Sequence, residues 1–521
     1  MPENGQSTRA SQPSLLNFMN LIDDNAAYTA LKSRDSRFDG VFFVGVTSTG
    51  IYCRPICPVR VPKRENCRFF ENAGAAEKAA FRPCLRCRPE LAPGHAPVDH
   101  AHRLADLIML RMDEGLADES AGLEEIATQF GLSSRQLRRI VQQELGISPI
   151  ELIQTRRLLL AKQLLTDTRL PVIEIAFASG FSSLRRFNDA FRRHYRMPPT
   201  RLRKEATAHP GRMHAANTSM LQLGYRPPYD WQSMLKFLAA RTIHEVEFVA
   251  DGTYSRTVRL GGYTGWIKVS NAPEKNALQV EFTHSLTPVL PALLGRLRHM
   301  FDLAARPDLI ATHLMQDAML KKSVMQNPGL RVPGAFDGFE LAVRAILGQQ
   351  ITVHAATKIA CRYADAFGEK IETPFPELTR LTPQAHDVSH ASIENLARLG
   401  IIRTRSACIL ALAQGFQSGT LKLDPGAHPE TAIAQLVSLP GIGPWTTNYI
   451  AMRALRWPDA FPKEDIAVRN NLGGVTAKQA EELSQPWRPW RSYAVMHVWN
   501  NPAAKCKVDR RHLTGICDKA P

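Results

Sequence analysis

Four cysteines near the N-terminus have the spacing of a metal site. Cys53 and Cys57 enclose three residues in CRPIC, Cys84 and Cys87 enclose two in PCLRC, and 26 residues separate the pairs. Each pair offers two thiolates from one turn, and the loop between folds one pair onto the other. Four thiolates arranged in this way suit a tetrahedral Zn²⁺. One zinc ion is therefore the expected cofactor, with Cys53, Cys57, Cys84 and Cys87 as its ligands. A purely structural zinc knot and a reactive thiolate centre share this spacing, and the spacing does not say which cysteine would react. Cys67, in the intervening loop, reads as a strand residue rather than a fifth ligand. Nine cysteines in 521 residues are no secreted disulfide framework, which favours metal binding for the paired thiols.

A second group of residues lies near the other end. VSLPGIGPWTTNYIAMRAL reads as helix, tight turn, helix, with Gly441 and Gly443 where the backbone is too crowded for other residues. Such a hairpin turns N–H groups at the start of the next helix toward an anion, and a DNA phosphate fits. As an isolated feature it is as well explained by packing. About twenty residues on, in DAFPKEDIAVRN, Asp465 precedes an apolar helix; alone it reads as a helix N-cap.

The third group is cationic. The chain carries a net charge of +16 and a pI near 9.6, a balance that often accompanies nucleic-acid binding. The charge is concentrated: residues 133–204 hold 15 Lys and Arg against 5 Asp and Glu, a net of +10. Within this region LEEIATQFGLSSRQLRRIVQQELGISP and VIEIAFASGFSSLRRFNDAFRRHYRMPP resemble each other. Each has a helix, a glycine (Gly131, Gly180), a Ser pair suited to an N-cap, and a basic amphipathic helix: two helix-turn-helix units. Arg135, Arg138 and Arg139 in one, and Arg185, Arg186 and Asn188 in the other, fall near the start of the second helix, where they reach bases or phosphates. An ordinary helical bundle with solvated arginines is the plainer alternative.

These residues need elements to position them. GVFFVGVTSTGIYC reads as strand, turn, strand into the first cysteine pair, and NAGAAEKAAFRPC as a short helix into the second. LAPGHAPVDH and residues 205–219 read as linkers, which implies loose tethering of the halves. From Leu221 the pattern mixes one helix, DWQSMLKFLAART, with alternating strands, HEVEFVADGTYSRTVRL, GGYTGWIKVS and ALQVEFTH; beyond it the chain is mostly helical to near Asn500. The expected organisation is multidomain: a small α/β zinc domain (14–92), an all-α tandem helix-turn-helix (101–204), an α+β domain (220–301) and an all-α domain carrying the hairpin (302–500). The termini are polar. There is no stretch of 18 apolar residues and no signal peptide, so a cytoplasmic, nucleoid-associated protein without membrane contact is expected.

Longer blocks carry resemblances. GIYCRPICPVRVPKRENCRFFENAGAAEKAAFRPCLRCRPE resembles the zinc domain of the Ada adaptive-response regulators, over residues 38–90, and the helix-turn-helix pair looks like the AraC-type domain that accompanies it. The resemblance implies that Cys53 accepts a methyl group from a DNA methylphosphotriester. It also implies that the domain then activates transcription, with RNA polymerase as partner. Zinc keeps the thiol ionised, and a site of charge −2 becomes −1 on methylation, so DNA binding should tighten. Arg54, Lys63, Arg64 and Arg68 are expected to hold phosphates nearby. A PCHR-type second methyltransferase motif is absent, so O6-methylguanine repair is not expected.

From residue 221 to about 500, YRPPYDWQSMLKFLAAR, FDGFELAVRAILGQQITVHAA, LPGIGPWTTNYIAMRAL and PWRSYAVMHVW resemble the AlkA-type 3-methyladenine DNA glycosylases II, of the helix-hairpin-helix superfamily. This implies base flipping in double-stranded DNA and excision of alkylated bases of the 3-methyladenine class, with Asp465 stabilising the sugar cation. It places Trp445, Tyr449, Trp499 and Phe237 in the base pocket. Gln349 and Gln350 fall in the segment that fills the space left by the flipped base. Two positions depart from the pattern: Gln350 stands where relatives have leucine, and Ile466 where they have an aromatic. Trp445 occupies the place of the Schiff-base lysine of strand-cleaving relatives, so a monofunctional enzyme is expected. Cys506 and Cys517 alone cannot hold an iron–sulfur cluster. The reading is a fusion of a methylation-responsive activator with a glycosylase. The alternative is a glycosylase whose degenerate regulator half only tethers it to DNA.

Overall fold

The computed structural model describes residues 24–34, 38, 42–70, 76, 79–84, 87, 124, 127, 133–145, 148–207, 217–423 and 429–500. The expected linker over 91–100, most of the short helix before Cys84, most of the first helix of the first helix-turn-helix with its Gly131, and Cys506 and Cys517 lie outside these residues.

At the N-terminal end, helix α1 (Asp24–Ser33) packs on a four-stranded sheet of β1 (Phe43–Val46), β2 (Ile51–Cys53), β3 (Cys67–Phe70) and β4 (Arg82–Pro83), in the order β3-β1-β2-β4. β1 runs antiparallel to both neighbours, and β4 lies parallel to β2. Cys67 begins β3, as its sequence position suggested. The core under α1 is Ala27, Ala30, Leu31, Phe38, Phe42 and Val44.

The basic region is helical: α2 (Ser134–Leu145), α3 (Pro149–Asp167), α4 (Val172–Ala178), α5 (Leu184–Tyr195) and α6 (Pro199–Thr207). Ser183 caps α5 by accepting from the Arg186 N–H, and Ser133 accepts from the Gln136 N–H. Gly180 sits at φ +83 in the turn between α4 and α5, where a Cβ would stand 2.8 Å from the Arg157 Nε.

Loose tethering is not what the structure shows. Helix α3 lies along β5 (Thr218–Gly224), the first strand of the next unit, and α4 packs on the 3-10 stretch His284–Val289. Leu158, Ala161, Leu164 and Leu165 share one buried cluster with Leu221, Leu223, Val280 and Leu290, and the Gln163 side chain donates to the Gln222 carbonyl at 2.7 Å. The apolar face of α3 is buried by the sheet unit, which a composition-based linker assignment cannot reveal.

That sheet is antiparallel throughout, ordered β5-β9-β8-β7-β6, with β6 (Glu247–Ala250), β7 (Thr253–Leu260), β8 (Tyr263–Ala272) and β9 (Ala277–Thr283). Helix α7 (Trp231–Ala239) covers it, capped by Asp230. The remaining chain is helical around a second large core. Four of its helices matter for function: α8 (Gly338–Leu347), α9 (Pro444–Arg453), α10 (Ile466–Asn471) and α11 (Arg491–Asn500). Four charges, three of them buried and Arg344 half-buried, tie sheet to helices. Arg256 meets Glu340 at 2.7 Å, and Arg344 meets Glu247 at 2.6 Å and Glu340 at 2.7 Å. Burial alone would raise the Glu340 carboxyl; Arg256 and Arg344 outweigh it and hold it at about 2.

Candidate active site and zinc centre

A cavity of about 1110 Å³ opens between the sheet unit and the helical core, and Asp465, Trp445, Tyr449 and Trp499 line it together with Gln349, Gln350, Gly441 and Gly443. Residues scattered over 150 positions thus meet in one place.

Asp465 caps α10: its Oδ1 accepts from the Val468 N–H at 2.9 Å. The plain reading is therefore correct, and incomplete. The Trp445 indole N–H donates to Oδ2 at 2.9 Å, and that of Trp499 to Oδ1 at 3.2 Å. Three donors from α9, α10 and α11 fix the carboxylate on the cavity wall. Such a preoriented anion suits stabilisation of positive charge developing in front of it, because nothing must reorganise as the charge appears.

The aromatic wall is a set of packed rings with two arginines behind it. The Trp445 and Tyr449 rings stack at 5.4 Å and 15°, and Trp499 tilts against Tyr449 at 6.4 Å. Phe237 stands behind Trp499, stacked at 6.3 Å, with the Arg241 guanidinium 3.7 Å from its ring, and it is not among the residues of the cavity wall. Arg453 donates to the Tyr449 phenolic oxygen at 2.7 Å while bonded to the Pro333 and Gly334 carbonyls. Burial pushes the Tyr449 phenol up, but Arg453 and Arg241 outweigh it and its net direction is down. Sequence reading missed both arginines; Arg241 closes the FLAAR block, and its role was not signalled there.

The hairpin joins Pro429–Ser438 to α9. Gly441 adopts φ +90, and a Cβ there would lie 3.2 Å from that of Cys408. Gly443 corrects the sequence reading: at φ −95 with open space around it, the protein itself does not require glycine there. It caps α9 without a side chain, leaving its N-terminal N–H groups bare. Gln349 is engaged, its amide donating to the Gly441 carbonyl and the Thr446 hydroxyl at 2.9 Å, with Arg405 donating to its carbonyl. Gln350, exposed and at φ +54, is the residue presented at the rim, with Ile466, 64% exposed, on the same cavity.

The four N-terminal thiols also converge. β2 ends at Cys53 and the parallel β4 leads to Cys84, whose N–H donates to the Tyr52 carbonyl at 3.0 Å; a turn closed by the Cys57 N–H on the Arg54 carbonyl brings in Cys57. All four Sγ atoms lie within 4.8 Å of one another, compatible with the sulfur spacing of about 3.8 Å that a tetrahedral Zn–S distance of ~2.3 Å implies. The cluster fits one zinc ion and is nearly closed to solvent, with Cys53 at 6% and Cys57 at 3% exposure. Hydrogen bonds from Cys57 and Cys87, with burial, push the Cys53 thiol up when protons alone fill the site; Zn²⁺ replaces those protons. Arg54 departs from expectation. It is 2% exposed, its guanidinium donating to the Cys87 carbonyl and its N–H to the Cys87 Sγ at 3.4 Å, so it offsets cluster charge rather than reaching for a phosphate. Arg64 turns to Asp24 at 3.3 Å and Lys63 to Glu65 at 3.6 Å, while Arg68 is exposed.

In the basic helices Arg135, Arg138, Arg139, Arg185 and Arg186 are exposed, Arg186 donating to the Ser182 hydroxyl, and Asn188 is half-buried. Among the described residues no helix is long and apolar enough to cross a membrane.

Known proteins show the same parts. The chain matches the metal binding domain of Ada over residues 26–90, a helix-turn-helix domain over 126–205 and the AlkA N-terminal domain over 220–337. It is 37% identical over 485 residues to the "Probable bifunctional transcriptional activator/DNA repair enzyme AlkA" of Mycobacterium tuberculosis, which covers 92% of this chain and 96% of that one. It is 36% identical to the DNA-3-methyladenine glycosylase 2 of Escherichia coli, over 54% of this chain and 96% of that enzyme. With the bifunctional transcriptional activator/DNA repair enzyme Ada of Escherichia coli it shares 34% identity, over 25% of this chain and 34% of that one.

Proposed function

Because the chain belongs to the family of bifunctional transcriptional activators and DNA repair enzymes in which an Ada-type regulator is fused to an AlkA-type glycosylase, we infer that Asp465 carries base excision and Cys53 carries methyl sensing. The observation that supports the first assignment most directly is the Asp465 carboxylate, held by Trp445, Trp499 and the Val468 N–H on the wall of an aromatic cavity.

The excision chemistry needs little else. An N-alkylated purine such as 3-methyladenine is cationic and leaves as a neutral base. Once it is flipped into the cavity, its electron-poor ring stacks on the electron-rich faces of Trp445 and Tyr449. The C1′–N bond breaks with its electron pair going to the base, and the cationic sugar faces Asp465. Water then bonds to C1′ and releases its proton, leaving an abasic site with both strands intact. The bare N–H groups after Gly443 grip a phosphate beside the lesion, and Gln350 fills the vacated stack.

At the other end Cys53, Cys57, Cys84 and Cys87 would hold one zinc ion, which would supply the charge that keeps their thiols ionised. The Cys53 sulfur attacks the methyl carbon of a DNA methylphosphotriester; the S–C bond forms as the C–O bond breaks, and an ordinary phosphodiester anion leaves. Each protein takes up one methyl group. The cluster loses one negative charge, so the exposed arginines of α2 and α5 hold promoter DNA more tightly and recruit RNA polymerase. Such a protein works on the chromosome, in the cytoplasm.

DNA labelled in its methyl groups tests both assignments. Wild-type protein releases label as free methylpurine and retains label on its own chain. Asp465→Asn should lose only the first and Cys53→Ala only the second. Free label without protein-bound label would reduce the N-terminal half to a tether.

A further inference from the structure

The zinc unit touches the helical core at the segment that leads to Asp465. Phe38, fully buried and part of the zinc-unit core, places its ring 6.1 Å from that of Trp457, which packs on the large helical core. Helix α1 lies against the neighbouring 3-10 turn Gln485–Trp487. The stretch from Leu455 to Asp465 contains no helix or strand, so its shape depends on side-chain anchors.

Those anchors are specific. The Trp457 N–H donates to the Ala451 carbonyl, and its own carbonyl accepts from the Ser492 hydroxyl at 2.8 Å. Asp459, buried, takes a two-pronged contact from Arg491 at 2.9 and 3.1 Å and a further one from Arg488 at 3.4 Å. Beyond it the Asp465 N–H closes on the Pro462 carbonyl. The helical core therefore grips this strap from the α11 side, and Phe38 closes the side that faces the zinc unit.

We propose that the Phe38–Trp457 contact is a functional interface within the chain, through which the zinc unit braces the Leu455–Asp465 strap and keeps Asp465 in its excision-competent position. This rests on the assignment of Asp465 to excision. Through it the regulator half sets the efficiency of the glycosylase half, beyond bringing it to DNA. Coupling of this kind is reciprocal: loosening the strap must also loosen the zinc unit.

The test uses the full chain and two variants on opposite sides of the contact, Phe38→Ala and Trp457→Leu. Zinc content, amide hydrogen exchange and single-turnover excision are measured for each. Phe38→Ala should keep its zinc, raise exchange across residues 455–465 and slow excision by about tenfold to a hundredfold, the scale on which small misplacements act. Trp457→Leu should raise exchange across residues 24–34. If Phe38→Ala loses its zinc, the Trp457→Leu variant decides on exchange alone. Wild-type exchange on the far side of the contact, or faster exchange with excision unchanged, overturns the proposal. Wild-type excision by Asp465→Asn would instead remove the Asp465 assignment and leave the exchange result standing.

Discussion

Asp465 is a helix cap that another good cap should fail to replace. Asparagine caps a helix as well as aspartate, but its amide NH2 cannot accept from the Trp445 indole as Oδ2 does, so Asp465→Asn should fold and cost about 1–3 kcal/mol of stability. The charge facing the sugar is lost, and excision should fall at least ~100-fold, the usual effect of removing one preorganised electrostatic group; a single-turnover assay beside a melting curve separates the two. Cys53 makes the complementary prediction. Buried Arg54 already offsets part of the cluster charge, so one methyl group brings the site close to neutral. Promoter affinity should rise on methylation, and the rise should shrink as salt is added; Cys53→Ala protein treated with alkylated DNA should show no rise. The four thiols and Asp465 were legible in sequence because spacing and a recurrent block mark them. Arg241 was not, because its effect on Tyr449 depends on a tertiary approach no local pattern encodes; Arg453, one turn after Tyr449 on α9, carried a local signal in its spacing that the reading passed over.

The hairpin separates two glycines that look alike in sequence. Gly441→Ala forces a Cβ against Cys408 at positive φ and should cost about 1–3 kcal/mol, seen as a lower Tm. Gly443→Ala has room and an ordinary φ. It should fold normally yet weaken binding of DNA containing an abasic site, because the added methyl stands where a backbone would approach. A large loss of stability in Gly443→Ala would count against its role at DNA. Strands and helices were legible here because alternation in ALQVEFTH and the basic stripe of α5 are local signals. The burial of α3 against β5 was not, since an apolar helix face does not name its partner.

Across the whole molecule the charged quartet Arg256, Arg344, Glu247 and Glu340 joins sheet to helices. Arg256→Ala leaves buried carboxylate charge short of a partner and should cost about 3 kcal/mol at neutral pH. The sign with pH follows from Glu340, held at about 2 against an ordinary 4.5. The stability it lends is complete above 4.5 and is lost as pH falls toward 2, so the gap between wild type and variant should narrow over that interval in denaturant titrations. The order of the parts could be read along the chain, whereas their mutual packing could not, because contacts such as Phe38 with Trp457 join residues more than 400 positions apart. The core common to α3 and β5 has a consequence for descent. A regulator half exchanged for that of a distant relative would present the wrong apolar face to Leu221 and Leu223 and no amide for the Gln222 carbonyl. Halves joined in this way are inherited as a matched pair, and natural recombinants with a breakpoint between residues 207 and 218 should be found only where both surfaces changed together.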